Sequence, residues 1–276
     1  MRFRISVFCC LLLTLCLMMV MPVLAHDQGI SQDQMKEANM KVLDFILEHN
    51  TSDVDLDALE DVKKIIDILS SDKNEFRNYY LNLDAARGGK TPHKIYKQVA
   101  IDGIPADIHL YPDGSFIIIT AQNYIVECDG TKILTEPITS IEEDAPDYVL
   151  FSSGKRIFRQ FFTGVGNRSQ TIKYEIWGLW KVRELVLKTD FFVGSYNITI
   201  NSVSTHGTRA WYPCIFNGAS AEIVSNNTTP AISMGNYNFT DTIHGVPVYS
   251  YTEQMEMDIF KTSEGYSVTG WYYSAN

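Results

Sequence analysis

Apolar side chains in the first third of the chain recur with the period of an amphipathic helix. One stripe runs over residues 35–46 and a second over residues 56–69, each with apolar positions three or four apart. A third, shorter element is expected over residues 76–83. These segments are too short to bury a large core alone, so we expect residues 26–90 to form a helical region that packs either on itself or on the rest of the chain.

Two capping boxes mark the expected starts of the first two helices. In each, a hydroxyl or carboxyl side chain stands three residues before Gln or Glu, namely Ser31 with Gln34 and Asp57 with Glu60. Such a pair satisfies two backbone N–H groups that have no partner in the first helical turn. A polar break over residues 50–53 separates the two elements.

From about residue 92 the hydrophobic pattern changes to a period of two and the residues become β-branched or aromatic, which is typical of strands. Residues 104–111 and 115–120 flank Pro112-Asp113-Gly114, which predicts two strands joined by a tight turn, because Pro presets φ and Gly accepts a left-handed conformation. Further strands are predicted over residues 124–127, 156–162, 171–177, 184–189, 196–203, 246–251, 255–260 and 266–272.

No helical pattern separates these strands, so parallel crossover units are excluded and the sheets are expected to be antiparallel. The sequence therefore predicts an α+β fold, in which a short N-terminal helical region precedes an antiparallel β-sandwich, or alternatively a barrel, over residues 91–276. No repeat of fixed period is present, which argues against a solenoid or a propeller.

The N-terminal end has the features of a secretory signal peptide. A basic start, an uncharged stretch over residues 5–21 and small residues at Val23 and Ala25 fit signal peptidase, so residues 1–25 are the expected leader, cleaved near Ala25. The protein is then secreted, extracellular or at the cell surface, and meets a membrane only during export. The alternative is an uncleaved anchor, since the uncharged stretch reaches the lower limit of a membrane span.

The composition is that of an ordinary globular chain of 276 residues, 45% of them hydrophobic and 20% charged. The net charge is −10, and it becomes −12 when the leader and its two arginines are removed. Because an acidic chain repels the phosphate backbone, nucleic acid is not expected as a partner.

Two cysteines, Cys128 and Cys214, remain after removal of the leader. In an oxidising compartment an even pair suggests one disulfide, so the Cys128–Cys214 bond is the candidate. The alternative is two buried thiols, which pack as small hydrophobic side chains.

No motif for catalysis, a metal or a cofactor is complete. The acids that begin at Asp53 start like a calcium loop, but the required Gly and Glu are missing at its sixth and twelfth positions. The six histidines lack metal-binding spacing. We expect no catalytic residue, no metal and no cofactor. A hydrolase site built from His206 or His244 with Asp241 stays open, because such sites are defined by geometry and not by chain order.

Large aromatic side chains are concentrated in the β region, where Trp177, Trp180, Trp211 and Trp271 form the candidate aromatic binding surface. Exposed on one face, such rings stack on sugars or anchor a protein partner. The competing interpretation is that they belong to the core, which is favoured by the largely apolar residues on both faces of the strand over residues 174–180.

Five blocks of the β region carry a resemblance to a known group of proteins: Tyr174-Glu-Ile-Trp-Gly-Leu-Trp180 and residues 188–193, 198–207, 244–249 and 255–259. They resemble uncharacterised secreted β-rich proteins of Gram-positive bacteria, which have a signal peptide, a variable N-terminal region and a β-rich C-terminal domain. The resemblance covers roughly residues 104–272. It implies no established activity and no site residues.

These features predict a secreted, non-enzymatic binding module whose partner is an extracellular protein or a glycan. Two alternatives are a secreted hydrolase with a site that the sequence does not reveal, and a carbohydrate-binding β-sandwich. A further alternative is that residues 26–90 are a pro-segment that is removed near Gly88 and Gly89.

Overall fold

The structure is a computed structural model that describes residues 30–86, 91–138, 154–243 and 246–274. The expected signal peptide over residues 1–25 and the expected pro-segment junction at Gly88 and Gly89 lie outside these ranges. Within them, no helix combines the length and the apolar character needed to cross a membrane.

Three helices form the N-terminal region: α1 (Gln32–His49), α2 (Glu60–Ser71) and α3 (Lys73–Asn82). The capping box at the start of α1 is confirmed, because the Ser31 hydroxyl accepts from the Gln34 N–H while the Gln34 side chain accepts from the Ser31 N–H.

The second capping box is wrong. Asp57 lies inside a short 3-10 turn (Leu56–Ala58) and pairs with Lys63, so the residue that precedes α2 is Leu59, which makes no side-chain cap.

The β region contains the strands β1 (Lys94–Ile101), β2 (Ile104–Leu110), β3 (Phe116–Val126), β4 (Lys132–Thr135), β5 (Lys155–Thr163), β6 (Gly166–Trp177), β7 (Lys181–Val193), β8 (Ile198–Ser204), β9 (Arg209–Ala210), β10 (Cys214–Ser225), β11 (Ala231–Ile243), β12 (Val246–Lys261) and β13 (Gly265–Tyr273). All strand pairs among the described residues are antiparallel, as predicted.

The strands form two sheets in the described part of the chain. The first sheet has the order β1-β2-β3-β6-β7-β8, with β4 paired to β3 and β9 paired to β7. The second sheet has the order β10-β11-β12-β13-β5. The predicted α+β fold with an antiparallel β-sandwich is confirmed.

The main core lies between the two sheets. Alternate side chains of β6 and β7 in the first sheet meet alternate side chains of β11, β12 and β13 in the second. The largest buried members include Tyr174, Phe191, Tyr237, Phe239, Tyr266 and Tyr272. Because successive residues of a strand project to opposite faces, this core leaves the outer face of the first sheet to be covered by other elements.

The helices cover that outer face. Val42, Leu43 and Ile46 of α1 are buried with Ile108 and Ile118 of the first sheet in a second apolar cluster. The helical stripes therefore pack on the β region as well as on one another, which decides between the two arrangements that the sequence left open. The molecule is built as helices, first sheet and second sheet, in that order.

The candidate disulfide is wrong: Cys128 and Cys214 are free thiols. Cys128 is exposed in the turn between β3 and β4 of the first sheet, whereas Cys214 begins β10 of the second sheet and is buried. Burial raises the pKa of the Cys214 thiol to about 11, so it remains protonated and packs as a small hydrophobic side chain.

Candidate functional site

The structure divides the four candidate tryptophans into two kinds. Trp177 is 3% exposed and stacks on Phe116 with ring centroids 5.8 Å apart, while Trp271 is 6% exposed. Both rings are therefore buried, but Trp177 lines the cleft described below and Trp271 does not. Trp180 is half-buried and Trp211 is 36% exposed.

The turn between β6 and β7 brings Trp180 against α3. A Cβ atom added to Gly178 would stand 2.2 Å from the Tyr79 hydroxyl oxygen, so only a glycine permits this approach. The same hydroxyl accepts a hydrogen bond of 2.6 Å from the Leu179 N–H. The turn is therefore held by a side chain of the helical region.

Tyr79 also links this turn to α1. Its hydroxyl donates to Asn39 Oδ1 over 2.7 Å, and Asn39 Nδ2 donates to the Asp113 carbonyl over 3.1 Å. Burial raises the pKa of Tyr79 far above its ordinary value, so the phenol stays neutral and serves as both donor and acceptor. One tyrosine thus fixes two helices and two hairpin turns relative to each other.

Three aromatic rings meet beside this turn. Phe76 of α3 stacks on Trp180 and is tilted against Tyr212, with centroids 5.2 Å apart in both pairs. Trp211 and Tyr212 lie in the loop before β10, where the backbone N–H of Trp211 donates to the backbone carbonyl of Val182 over 3.0 Å. Tyr212 is 55% exposed. The rings thus come from three separate parts of the chain.

Lys181, the first residue of β7, supplies a charge at this place that its neighbours compensate. Its ammonium lies 2.6 Å from Glu175 Oε1 and 3.0 Å from Glu184 Oε2. It also lies 5.5 Å from the centre of the Trp211 ring. Burial alone would raise the pKa of Glu175, but Lys181 and Lys173 outweigh it and lower that pKa. The group is therefore a charged network with little free positive charge.

These residues enclose a cleft of about 530 Å³, which we call the aromatic cleft. Val54, Leu56, Ile66 and Leu179 supply apolar walls, and Phe76, Trp177, Trp180, Trp211 and Tyr212 supply rings. Ser52, Asp53 and Lys181 are its polar lining residues. Its size is within the usual range of about 300–1,000 Å³ for ligand pockets, which are mostly apolar with a few polar groups.

The structure does not bring together the histidine and the carboxylate that the hydrolase alternative requires. His206 is exposed in a shallow depression that is lined by hydroxyl and apolar residues and by Arg209, with no carboxylate among its lining residues. Asp241 is buried and accepts a hydrogen bond of 3.1 Å from the Tyr251 hydroxyl. His244 lies outside the described residues. In the described part of the chain, no three His, Cys, Asp or Glu side chains converge as metal ligands.

A buried ion pair lies between the sheets. Arg183 Nη1 of β7 is 2.5 Å from Glu253 Oε1 of β12 and donates to the Tyr251 hydroxyl over 2.8 Å. Burial raises the pKa of Glu253, although Arg183 opposes this shift. Both side chains are almost fully enclosed, so we assign the pair to the architecture of the core and not to a ligand site.

The sequence did not identify Phe76 and Lys181 of the aromatic cleft, or Tyr79, which holds the neighbouring turn, as candidate site residues. Residues 76–83 are predicted from the sequence only as a short helical element. The available signal was Gly178 between Trp177 and Trp180, since a glycine inside an aromatic run indicates a close approach of another element.

No protein-family model matches the chain, and no curated protein matches it. Among solved structures, the chain is similar to the hypothetical protein lmo2686 from Listeria monocytogenes EGD-e, with 12% identity and a TM-score of 0.31. The alignment covers 55% of this chain and 98% of that one. At this level the likeness supports no inference about activity.

Proposed function

We propose that the protein is a secreted interaction module whose aromatic cleft receives an apolar or aromatic side chain from a basic segment of a protein partner. The proposal that the protein is exported is supported by the leader-like residues 1–25 and by the resemblance to secreted β-rich proteins of Gram-positive bacteria. Mass spectrometry of the secreted protein tests this part of the proposal. An N-terminus at His26 would support both the cleaved leader and the retention of residues 26–90, whereas an N-terminus near residue 90 would support the pro-segment alternative.

The observation that carries the proposal is the pairing of partly exposed rings with an apolar interior. Trp211 and Tyr212 present aromatic surface to solvent, while Leu56 and Leu179 line the cleft beside them. Tryptophan and tyrosine contribute most to binding when they surround a concave site that excludes water. The tethered turn at Gly178 holds the rings in place before a partner arrives, which reduces the entropy lost on binding.

Charge favours a basic partner. Lys181 is compensated by Glu175 and Glu184, whereas Asp53 lines the cleft and the exposed Asp55 follows it closely in the chain. The whole chain has a net charge of −10. Because opposite charge speeds encounter and disfavours acidic competitors, a Lys or Arg beside the apolar anchor is expected in the partner.

The test is a selection of short random peptides displayed on phage against the folded protein. Enriched peptides are expected to carry an aromatic or large aliphatic residue near Lys or Arg. Trp211→Ala and Tyr212→Ala should each weaken the binding of such a peptide about tenfold or more, since hot-spot residues contribute at least about 2 kcal/mol.

Tyr196→Ala is the matched control, because Tyr196 is 90% exposed and does not line the aromatic cleft. It should leave binding unchanged. A glycan array is the counter-test. Binding of an oligosaccharide that is lost in Trp211→Ala, with no peptide enriched, would replace this proposal by the carbohydrate-binding alternative.

A further inference from the structure

The strands at the ends of the two sheets have one side that pairs with no other strand in the described part of the chain: β1 and β8 in the first sheet, β10 and β5 in the second. Free edges of this kind pair with other chains unless side chains or loops protect them. β1 carries the exposed Lys94 and Lys97, and three of the nine residues of β5 are basic. At β8 the Asn226 side chain accepts from the Ile200 N–H over 2.7 Å and donates to the Ile200 carbonyl over 3.0 Å. These three edges are therefore protected.

The edge of β10 lacks such protection. The strand contains no Lys, Arg or Pro, and Glu222 is its one charged residue. Ile215, Ile223 and Val224 are 47%, 42% and 44% exposed. Among the described residues, β10 pairs with β11 alone. A long, weakly charged edge with exposed aliphatic side chains is a template for an added strand.

The geometry of β10 defines which residues can receive that strand. Its register with β11 shifts between Phe216 and Gly218 and again between Ile223 and Ser225. Residues 218–223 between these two irregularities form an uninterrupted ladder of six residues, Gly-Ala-Ser-Ala-Glu-Ile. Six residues is the usual length of a strand in globular proteins. An added strand is therefore expected along this stretch.

We propose that β10 of a second copy of this chain pairs antiparallel with residues 218–223, about a two-fold axis at Ser220. The second sheets of the two molecules then form one continuous sheet. In this register Ala219 lies opposite Ala221 of the second copy, and Glu222 lies opposite Gly218. A two-fold contact is closed, because it uses the same edge of both molecules and leaves neither edge free.

The distribution of charge favours a second copy as the occupant. The chain has a net charge of −10, so two copies repel each other over most of their surface, but this edge carries only Glu222. In the proposed register the two Glu222 side chains are four positions apart along the strands, or about 13 Å. That distance exceeds the screening length of about 8 Å at physiological ionic strength. A basic partner strand would meet a single carboxylate here, so charge gives it little advantage.

The test is analytical ultracentrifugation of the protein over a wide range of concentrations, with a reducing agent so that the exposed Cys128 does not cross-link two copies. A monomer–dimer equilibrium is expected. Ser220→Glu places two like charges opposite each other at the axis and should weaken dimerisation about tenfold or more. Ser263→Glu adds the same charge in the exposed turn between β12 and β13 and should dimerise as the original protein does.

This inference does not depend on the aromatic cleft, because no residue of β10 lines the cleft. Trp211→Ala should therefore dimerise as the original protein does, even though it is expected to lose peptide binding. Loss of one property without the other separates a failure of this inference from a failure of the proposed function.

A mixture of two variants tests the position of the axis. Ser220→Glu and Ser220→Lys, combined in equal amounts, should form a mixed dimer that is tighter than the dimer of either variant alone, since opposite charges then meet at Ser220. If the variants fail to fold by circular dichroism, hydrogen exchange of the original protein decides. Backbone amides within residues 218–223 should exchange more slowly at high protein concentration than at low concentration.

Three results would overturn the proposal: a monomer at every concentration, a dimer that Ser220→Glu does not weaken, or exchange in residues 218–223 that is independent of concentration. A monomer in which a peptide from the display selection protects residues 218–223 would assign this edge to a partner strand and reject the second copy.

Discussion

Gly178 is the residue on which the shape of the aromatic cleft depends. In Gly178→Ala the new methyl carbon would stand only 2.2 Å from the Tyr79 hydroxyl oxygen, so either the turn or α3 must move. We expect a loss of about 1–3 kcal/mol in the free energy of unfolding, as for other overpacked sites. Urea denaturation followed by tryptophan fluorescence measures it.

A second variant isolates the cause of that loss. Tyr79→Phe removes the hydroxyl and opens the space that the new methyl group needs, at the cost of the hydrogen bond from Leu179. In the Tyr79→Phe background, Gly178→Ala should cost clearly less than it does alone. An equal cost in both backgrounds would contradict the proposed contact.

Glu256 gives the stability of the protein a specific dependence on pH. Its pKa rises from 4.5 to about 8 on folding, so its stabilising contribution is complete below pH 4.5 and is lost as the pH rises through about 8. Glu256→Gln should therefore lose less stability over this interval than the original protein. Urea unfolding at a series of pH values measures the difference.

The exposed Glu264 provides the comparison for this experiment. Glu264→Gln should follow the original protein throughout the same pH series. Asp258, Glu253 and Asp241 also have pKa values raised by burial, so part of the decline should persist in Glu256→Gln. A decline identical to that of the original protein would show that Glu256 is charged in the folded state.

At the scale of elements, the helical region is an integral layer of the molecule. Leu43 of α1 is fully buried against the first sheet. Leu43→Ala should lower the free energy of unfolding by about 2–5 kcal/mol and should shift a single transition of the whole protein. Ile68→Ala on an exposed face of α2 should change it by less than about 0.5 kcal/mol.

Separate transitions would point to a different organisation. If Leu43→Ala changes only a helical signal in circular dichroism while tryptophan fluorescence keeps its midpoint, the helices unfold independently of the sheets. That result would also favour the pro-segment alternative for residues 26–90.

The sequence predicted elements well where one face is apolar and the other is polar. The helix starting after Ser31 and the hairpin of β2 and β3 around Gly114, whose φ is +81°, follow directly from local patterns. β10 and β11 escaped prediction because Asn, Ser and Gly interrupt their alternation. β11 pairs with β10 on one side and with β12 on the other, and these pairings, which no local pattern reports, stabilise both strands.

Two predictions made from local features of the sequence were wrong, the second capping box and the disulfide. Asp57 has the spacing of a cap but lies in a 3-10 turn and pairs with Lys63. The two cysteines have the right number for a disulfide, but the strands that follow them belong to different sheets. The sheet to which each cysteine belongs is set by contacts distant in sequence, whereas Asp57 is held by a partner only six residues away.

At the scale of the whole molecule, the aromatic cleft exists only because the three layers come together. Phe76 lies on a helix, Trp180 in a turn of the first sheet and Tyr212 in a loop that leads into the second sheet. The sequence identified aromatic residues as candidates but did not distinguish Trp180 and Trp211 from the buried Trp177 and Trp271. Burial depends on packing between layers, so composition alone does not reveal it.

The indole N–H signals of the four tryptophans test the central claim most directly. In nitrogen-15 NMR spectra, addition of a peptide from the display selection should shift the signals of Trp180 and Trp211, which line the aromatic cleft, and leave that of Trp271 unchanged. Single Trp→Phe variants assign the four signals. Binding of the peptide with no shift of Trp180 or Trp211, or with a shift of Trp271 alone, would contradict the account.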